Sequence, residues 1–512
     1  MARLGIDFGT TNTVASIQDR GVFSIVLHTA ETGVGSVTQE VFPSSILIDA
    51  SGQRLFGIEA DRRFMQLGAP KGGAFVSSLK RELREYVDGH TISFGDHEVD
   101  VAELLTQYLC ELASSIRQSQ SFDDAEPLEV VITWPANCNG AQRYITRKAF
   151  REAGFIVIDS VNEPTASVIE LADRIAAGES TKPSAIAVFD LGGGTFDASI
   201  VATEEQDFNV RSSAGIEDLG GDDFDRVLLG MLLRKLKVNF ESLNPMTRLA
   251  LLRHARSQKE MISTGAVMSL FMNPQDFGLK GKVVSIQVSS FYRRLRTMLE
   301  PTIEMLANVI RDADVDQEKL TVYLVGGSSK LPLVANMVSK AFPDCRVMQT
   351  DKPFRSVAMG AAICAADRVT FRDMFARHFG LIRLRDHGRT ETFDAIFPAG
   401  TPIPRKGEAP LERVVSYHPA HNVGRLRYLE CTAIDDDGMP DGSVRAWSDI
   451  LFPYDPQNEL SSRISADDIC QTDRFSGEMV NEVYRCDTDG VITVELQRES
   501  RCDSRLYEIC CD

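Results

Sequence analysis

The sequence predicts an α/β protein of two similar lobes facing a cleft, followed by a smaller, all-β, sandwich-like domain. Three observations predict it. A strand–Asp–x–Gly–turn–strand pattern occurs twice, roughly 180 residues apart, first around Asp7 and again around Asp190. That period is too long for a solenoid, and it fits two related half-domains. A third glycine element, Gly326-Gly327-Ser328-Ser329, follows the apolar run Thr321–Val325. Past about Phe379 helical periodicity fades and period-two alternation takes over, as in Arg425–Cys431.

The elements follow in order. Leu4–Phe8 and Thr13–Ile17 read as strands around the turn Gly9-Thr10-Thr11-Asn12, where Gly and Asn supply the turn chemistry. Val101–Ser114 is apolar at helical spacing. Glu129–Trp134 is a buried strand ended by Pro135, and Ala141–Ala153 a helix stopped by Gly154. Ala185–Asp190 and Phe196–Val201 repeat the opening strands around Leu191–Thr195. Phe224–Phe240, Thr247–Ser263 and Phe291–Asp312 read as helices, and Val357–Ala366 as a small-residue helix. Asn481–Cys486 and Val491–Leu496 flank Asp487-Thr488-Asp489-Gly490, a hairpin signature. The chain divides into 1–366, a connector at 367–378, and a β-rich 379–512.

The 512 residues suffice for two or three domains, with 43% apolar and 25% charged residues, ordinary for a globular protein. A net charge of −18 with no long basic run disfavours nucleic-acid binding, which needs clustered Lys and Arg to displace counterions. Asp7 interrupts any apolar leader at the N-terminus and no run approaches membrane-spanning length, so the expectation is a cytoplasmic protein with no membrane partner. Ten scattered cysteines show no Cys-x-x-Cys spacing and read as free thiols in a reducing compartment. A metal or disulfide role is left to the five late ones, Cys470, Cys486, Cys502, Cys510 and Cys511.

The paired turns carry the chemistry. Inward-pointing backbone N–H groups of a Gly-rich turn hold a polyphosphate, and side chains would crowd that approach. The hydroxyls of Thr10, Thr11 and Thr195 add donors. Asp7 and Asp190 stand at strand ends beside the turns, where a carboxylate can hold hydrated magnesium. No Gly-x-x-x-x-Gly-Lys-Ser/Thr, His-Glu-x-x-His or Gly-x-Ser-x-Gly competes with this reading.

These residues resemble a known family. Ile6–Asn12 resembles the first phosphate motif of the seventy-kilodalton heat-shock chaperones (DnaK-type), and Asp190–Asp197 is similar to their second. Val161–Ala166 is similar to the connecting motif between the halves. Leu219–Asp225 and Val325–Pro332 complete a set of five in the right order, over nearly all of Met1 to Ala366. Sugar kinases and actin share the two Asp turns, whereas Asn162–Ala166 points to the chaperone branch.

The resemblance implies an actin-like ATPase fold binding ATP or ADP with Mg2+. Asp7 and Asp190 would approach the magnesium shell. Gly9, Thr10, Thr11, Asn12, Gly192, Gly193, Gly194 and Thr195 would bind phosphates, with Gly220, Gly221, Gly326, Gly327 and Ser328 around the nucleotide. Lys80 matches the lysine near the transferred phosphate. Glu163 and Asp197 would orient magnesium waters or the attacking water, and Thr195 joins this catalytic set. Lys259 and Thr264 match a base-and-ribose helix. Arg256 stands where the family usually has a glutamate, and Lys330 where it has an arginine.

Pro135 and Arg143 match the pair that relays nucleotide state, but Asp373–His378 replaces an aliphatic linker, and Arg377 and His378 make a poor apolar docking strip. Phe397–Pro404 and Asn481–Leu496 are similar to parts of the family's peptide-binding β-sandwich, and the helical lid that usually follows is expected to be missing.

Three functions stay open. The first is a stress-response chaperone that hydrolyses ATP and couples nucleotide state to unfolded or peptide clients, with J-domain and nucleotide-exchange partners implied. The second is a nucleotide-stabilised binding module for one dedicated partner. The third is a small-molecule kinase of the same superfamily.

Overall fold

The computed structural model describes residues 3–509 except 20, 33–34, 68–72, 77, 84–88, 95–96, 121–125, 137, 176–182, 205, 264, 266, 314, 316–319, 351–354, 386–389, 455–468, 473, 475–476 and 500–502.

Two six-stranded sheets share the topology of five strands and differ in the sixth. The first runs Phe155–Asn162, Leu128–Trp134, Arg3–Phe8, Asn12–Asp19, Val22–Ile25, with Phe42–Pro43 also paired to Asn12–Asp19. The second runs Arg346–Gln349, Leu320–Val325, Ala185–Leu191, Phe196–Glu204, Asp207–Ile216, Thr370–Arg372. In each, the strand carrying the turn aspartate pairs parallel on one side and antiparallel, through its own hairpin, on the other. The central strands are buried on both faces, so they read as continuous apolar runs such as Leu128–Trp134 and Ala185–Leu191 rather than alternating ones.

Each sheet has its own core, and a third cluster joins them. It combines Val131 and Val161 of the first sheet, Ile186, Val188 and Tyr323 of the second, and the helices Glu163–Arg174 and Ser356–Ala365. Close packing explains the small residues there. A Cβ at Gly5 would overlap the Ala362 backbone, and one at Gly360 the Ala166 carbonyl. Asn162 caps the Glu163 helix by accepting from Thr165 N–H at 2.8 Å, and Pro164 fits its first turn.

The C-terminal strands form two four-stranded antiparallel sheets. Phe379, Leu381, Tyr428 and Phe452 of one meet Val480, Tyr484, Val494 and Leu496 of the other in a single core. Residues 367–378, read as a connector, carry structure of their own. Thr370–Arg372 adds to the edge of the second large sheet, and Phe375 enters the C-terminal core. Among the described residues no helix is long and apolar enough to cross a membrane, and the described cysteines, Cys470 and Cys486 among them, are free. Cys502, Cys510 and Cys511 lie outside the described residues.

Candidate functional site

The two Asp–Gly turns meet across a cleft of about 790 Å³. Each is closed locally: Gly9 N–H donates to Asn12 O at 3.1 Å, and Gly192 N–H to Thr195 O at 3.0 Å. The glycines are required by approach. A Cβ on Gly193 would stand 2.7 Å from Thr11 Oγ1, and one on Gly194 would stand 3.3 Å from the Thr10 methyl. Gly326, at φ +79°, lies in the left-handed region, and a Cβ there would come within 2.5 Å of Asp190 Oδ1. A Cβ on Gly221 would sit 2.8 Å from Lys259 Nζ.

Lys80 is buried on the one-turn helix Leu79–Glu82, and its Nζ donates to Phe8 O at 2.5 Å and Glu163 Oε1 at 2.7 Å. Around it lie three acids. Burial, with Glu163 beside it, raises the Asp7 carboxyl to about 7 against the pull of Lys80. Burial and the charges of Glu163, Asp197 and Asp7 push Asp190 well above the usual range. Burial pulls the Lys80 ammonium down, but Glu163 and Asp7 outweigh it and hold it above its ordinary value. Carboxyls raised in this way keep protons that a divalent cation between them would displace. Among the described residues no three His, Cys, Asp or Glu are grouped to ligate a metal directly. Two carboxylates beside the turns, as Asp7 and Asp190 are, suit Mg2+ held through water and phosphate oxygens, which is how that ion is usually bound.

The second wall is a chain of charges. Arg81 Nη2 donates to Asp222 Oδ2 at 2.6 Å, and Arg256 Nη2 to Asp222 Oδ1 at 2.6 Å. Arg256 Nε reaches Asp225 at 3.3 Å, and Lys259 Nζ pairs with Asp225 at 2.9 Å while donating to Gly221 O at 2.6 Å. Burial raises Asp225, with Lys259 and Arg256 opposing it. Arg256, in place of a glutamate, thus sits between two carboxylates of the helix Gly221–Leu236.

Of the residues singled out from sequence, Asp7, Gly9, Thr10, Thr11, Asn12, Lys80, Glu163, Asp190, Gly192, Gly193, Thr195, Gly221, Lys259, Gly326, Gly327, Ser328 and Lys330 line the cleft. Gly194 of the second turn faces Arg81 and the Thr10 methyl, and Gly220 stands behind that turn, where a Cβ would meet the Gly193 backbone at 2.6 Å. Asp197 faces Asp190 across its hairpin but is buried off the cleft surface. Thr264 lies outside the described residues. Sequence reasoning assigned no role to Arg81, Asp222 or Asp225. Asp222 and Asp225 stand inside the motif Leu219–Asp225 and Arg81 follows Lys80, but the pairing of Arg81 with Asp222 spans 141 positions and carries no local signal.

The mixed α/β fold and its paired turns define a class, and comparison with known proteins narrows it. The sequence model of the family Hsp70 protein matches residues 92–373. The chain is 30% identical over 386 residues to Chaperone protein dnaK1 of Synechocystis sp., covering 71% of this chain and 54% of that protein. It is 31% identical over 379 residues to a Chaperone protein HscA homolog of Burkholderia ambifaria, covering 71% and 58%. A Heat shock 70 kDa protein of Ajellomyces capsulatus is 35% identical over 242 residues, covering 46% and 34%. The chain belongs to the Hsp70 family, a family that implies an actin-like ATPase fold. The matches span about half the length of the first two relatives.

Proposed function

We propose that the cleft binds ATP with Mg2+ and hydrolyses it, and that residues 1–366 form an actin-like unit whose two lobes face each other across that cleft. In this reading 367–378 is a connector and 379–512 a β-sandwich that binds unfolded or peptide clients. The observation that carries it is the meeting of the two glycine turns around the buried Lys80–Glu163 pair, with Asp7 and Asp190 alongside.

The residues divide the work. Backbone N–H groups of the turns Gly9–Asn12 and Gly192–Thr195, other than the Gly9 and Gly192 N–H that close them, bind phosphate with the Thr hydroxyls. Asp7 and Asp190 hold the shell of a magnesium ion, which when bound neutralises phosphate charge. Lys80 stabilises charge at the terminal phosphate, and Glu163, with Asp197 opposite Asp190 across the hairpin, orients the attacking water. In such hydrolysis positioning and electrostatics supply most of the catalysis. Arg256, Lys259 and Lys330 lie toward the nucleoside. J-domain and exchange-factor partners and a cytoplasmic location are carried over from the family.

ATP turnover by the full chain, with and without an unfolded model client, tests this. The expected result is magnesium-dependent turnover that rises with client and falls at least ~100-fold in Asp190→Ala. Tight ATP binding with no turnover would instead favour the second reading, a nucleotide-stabilised module for a dedicated partner. That reading draws support from the polar anchoring of the connector, in which Asp373 binds Asn162 and Arg377 binds Glu217.

A further inference from the structure

Arg81 follows Lys80 on the same one-turn helix but turns the other way. Lys80 goes to Glu163, whereas the Arg81 guanidinium crosses the cleft to Asp222 in the first turn of the helix Gly221–Leu236. On the way it lies against the second phosphate turn. A Cβ on Gly194 would be 2.9 Å from Arg81 Nη2, 3.1 Å from its Nε and 3.3 Å from the Thr10 methyl. Guanidinium, first turn and second turn therefore converge at one point. Among the described residues Arg81 Nε is buried with no hydrogen-bond partner, and Asp222 is already shared with Arg256.

We propose that Arg81 is a clamp for the terminal phosphate of a nucleoside triphosphate, held ready by Asp222 and exchanged to the phosphate when the nucleotide enters. The proposal rests on the nucleotide reading of the cleft given above. Two physical points support it. A phosphate touching both turns is the one that would lie where they meet, and a diphosphate lacking the last group leaves Arg81 with Asp222. A guanidinium also prefers a phosphate with two oxygens in reach to a carboxylate it shares with a second arginine, because planar, paired donation is its strongest mode. The unpartnered Nε, next to Nη2, supplies the second donor of that pair. Arg81 then joins the half that bears Gly9–Asn12 to the half that bears Gly192–Thr195 through the substrate itself, and it distinguishes ATP from ADP by the phosphate that differs.

The two partners in this exchange are predicted to give opposite signs, which separates a clamp from a structural ion pair. Equilibrium titration of the full chain with magnesium and either a non-hydrolysable ATP analogue or ADP reads the outcome. Arg81→Met should weaken the triphosphate roughly tenfold or more while changing ADP less than about threefold, as expected for loss of a charge-assisted pair. Asp222→Asn removes the competitor and should tighten the triphosphate by a few-fold, with ADP again little changed. Arg81→Lys should recover only part of the loss. Thermal melting without nucleotide shows whether each variant is folded.

If Arg81→Met weakens both nucleotides equally, or Asp222→Asn weakens the triphosphate, the pair is structural and the proposal is overturned. If the wild-type chain binds neither nucleotide, the reading of the cleft itself fails. If one variant does not fold, the other carries the test alone, since each has its own predicted sign.

Discussion

A single buried histidine sets one limit on acid stability. His28 is fully buried, its Nδ1 2.8 Å from Ser115 Oγ and its ring 5.3 Å from that of Phe42. Burial lowers its pKa from 6.5 to about 4. Above 6.5 the imidazole is neutral in both folded and unfolded chains and costs nothing. Between 6.5 and 4 the unfolded chain takes up a proton that the folded one refuses, so stability falls as pH falls, by roughly 3 kcal/mol once complete. Asp159 and Asp373, raised by burial to about 6, act in the opposite sense over the same window, because folding strengthens their hold on protons. The overall pH curve mixes these effects, so the decisive quantity is a difference between chains. His28→Leu should lose roughly 2–3 kcal/mol less stability than wild type between pH 7 and pH 4.5 in denaturant melts. Equal losses would mean that His28 accepts its proton without cost. At this scale the sequence was legible where chemistry is local. Turn glycines, Asp7, Asp190 and Lys80 stand in contiguous motifs, whereas the Arg81–Asp222 pair and the His28–Ser115 bond join residues far apart and became visible only with the fold.

Among the elements, the helix Ser356–Ala365 poses two principles against each other. Gly360 costs helix stability, and replacing it by alanine should gain about 1 kcal/mol on propensity alone. But the added Cβ would overlap the carbonyl of Ala166, a backbone atom that cannot rotate aside. Packing wins because the interface of this helix with Glu163–Arg174 joins the two sheets in one core. Gly360→Ala should therefore destabilise by about 1–3 kcal/mol. Gly230→Ala is the control. It lies in the helix Gly221–Leu236, where a Cβ would meet only Arg234 Nη2 at 3.9 Å, and it should stabilise by roughly 0.5–1 kcal/mol. Denaturant midpoints moving in opposite directions would establish the packing account; two increases would refute it. This helix was readable from its run of small residues, and the long helix Val288–Asp312 and the hairpin of Val480–Cys486 with Ile492–Arg498 from periodicity and turn residues. The two-stranded ribbons Thr91–Phe94 with His97–Asp100 and Ser269–Met272 with Val284–Gln287 were not read, since a ribbon that short is marginal by itself and depends on what it rests against.

Across the whole molecule, polar contacts hold the C-terminal strands to the α/β body. The connector was read as a poor apolar strip; beside Phe375, which is buried in the C-terminal core, it carries polar anchors: Arg377, 3% exposed, donates to Glu217 at 2.5 Å and to Ser443 O at 3.2 Å, and Asn162 donates to Asp373 Oδ1 at 2.5 Å. Partners so far apart in sequence give an arginine the appearance of a surface residue. Beyond the connector, Glu430 is buried where it accepts from Gly140 N–H at 3.3 Å, at the start of the helix Gly140–Glu152, and burial raises its carboxyl against the pull of Arg377. Arg147 of that helix pairs with Asp489. The Trp447 ring packs directly on Gly140, and a Cβ there would overlap it. Gly140 is thus a glycine because an indole occupies the side-chain position, and the contact cannot survive a larger residue. Gly140→Leu should part the β-rich segment from the body while each keeps its own core, since the core clusters of the two parts share no residue. Small-angle scattering should show the radius of gyration rising by on the order of a few Å, and protease should cut sooner within 367–378. An unchanged radius with an unchanged cleavage pattern would mean that the Arg377, Asp373 and Arg147 pairs suffice without the Trp447 contact. In that case Arg377→Ala in the same chain should produce the separation that Gly140→Leu alone did not.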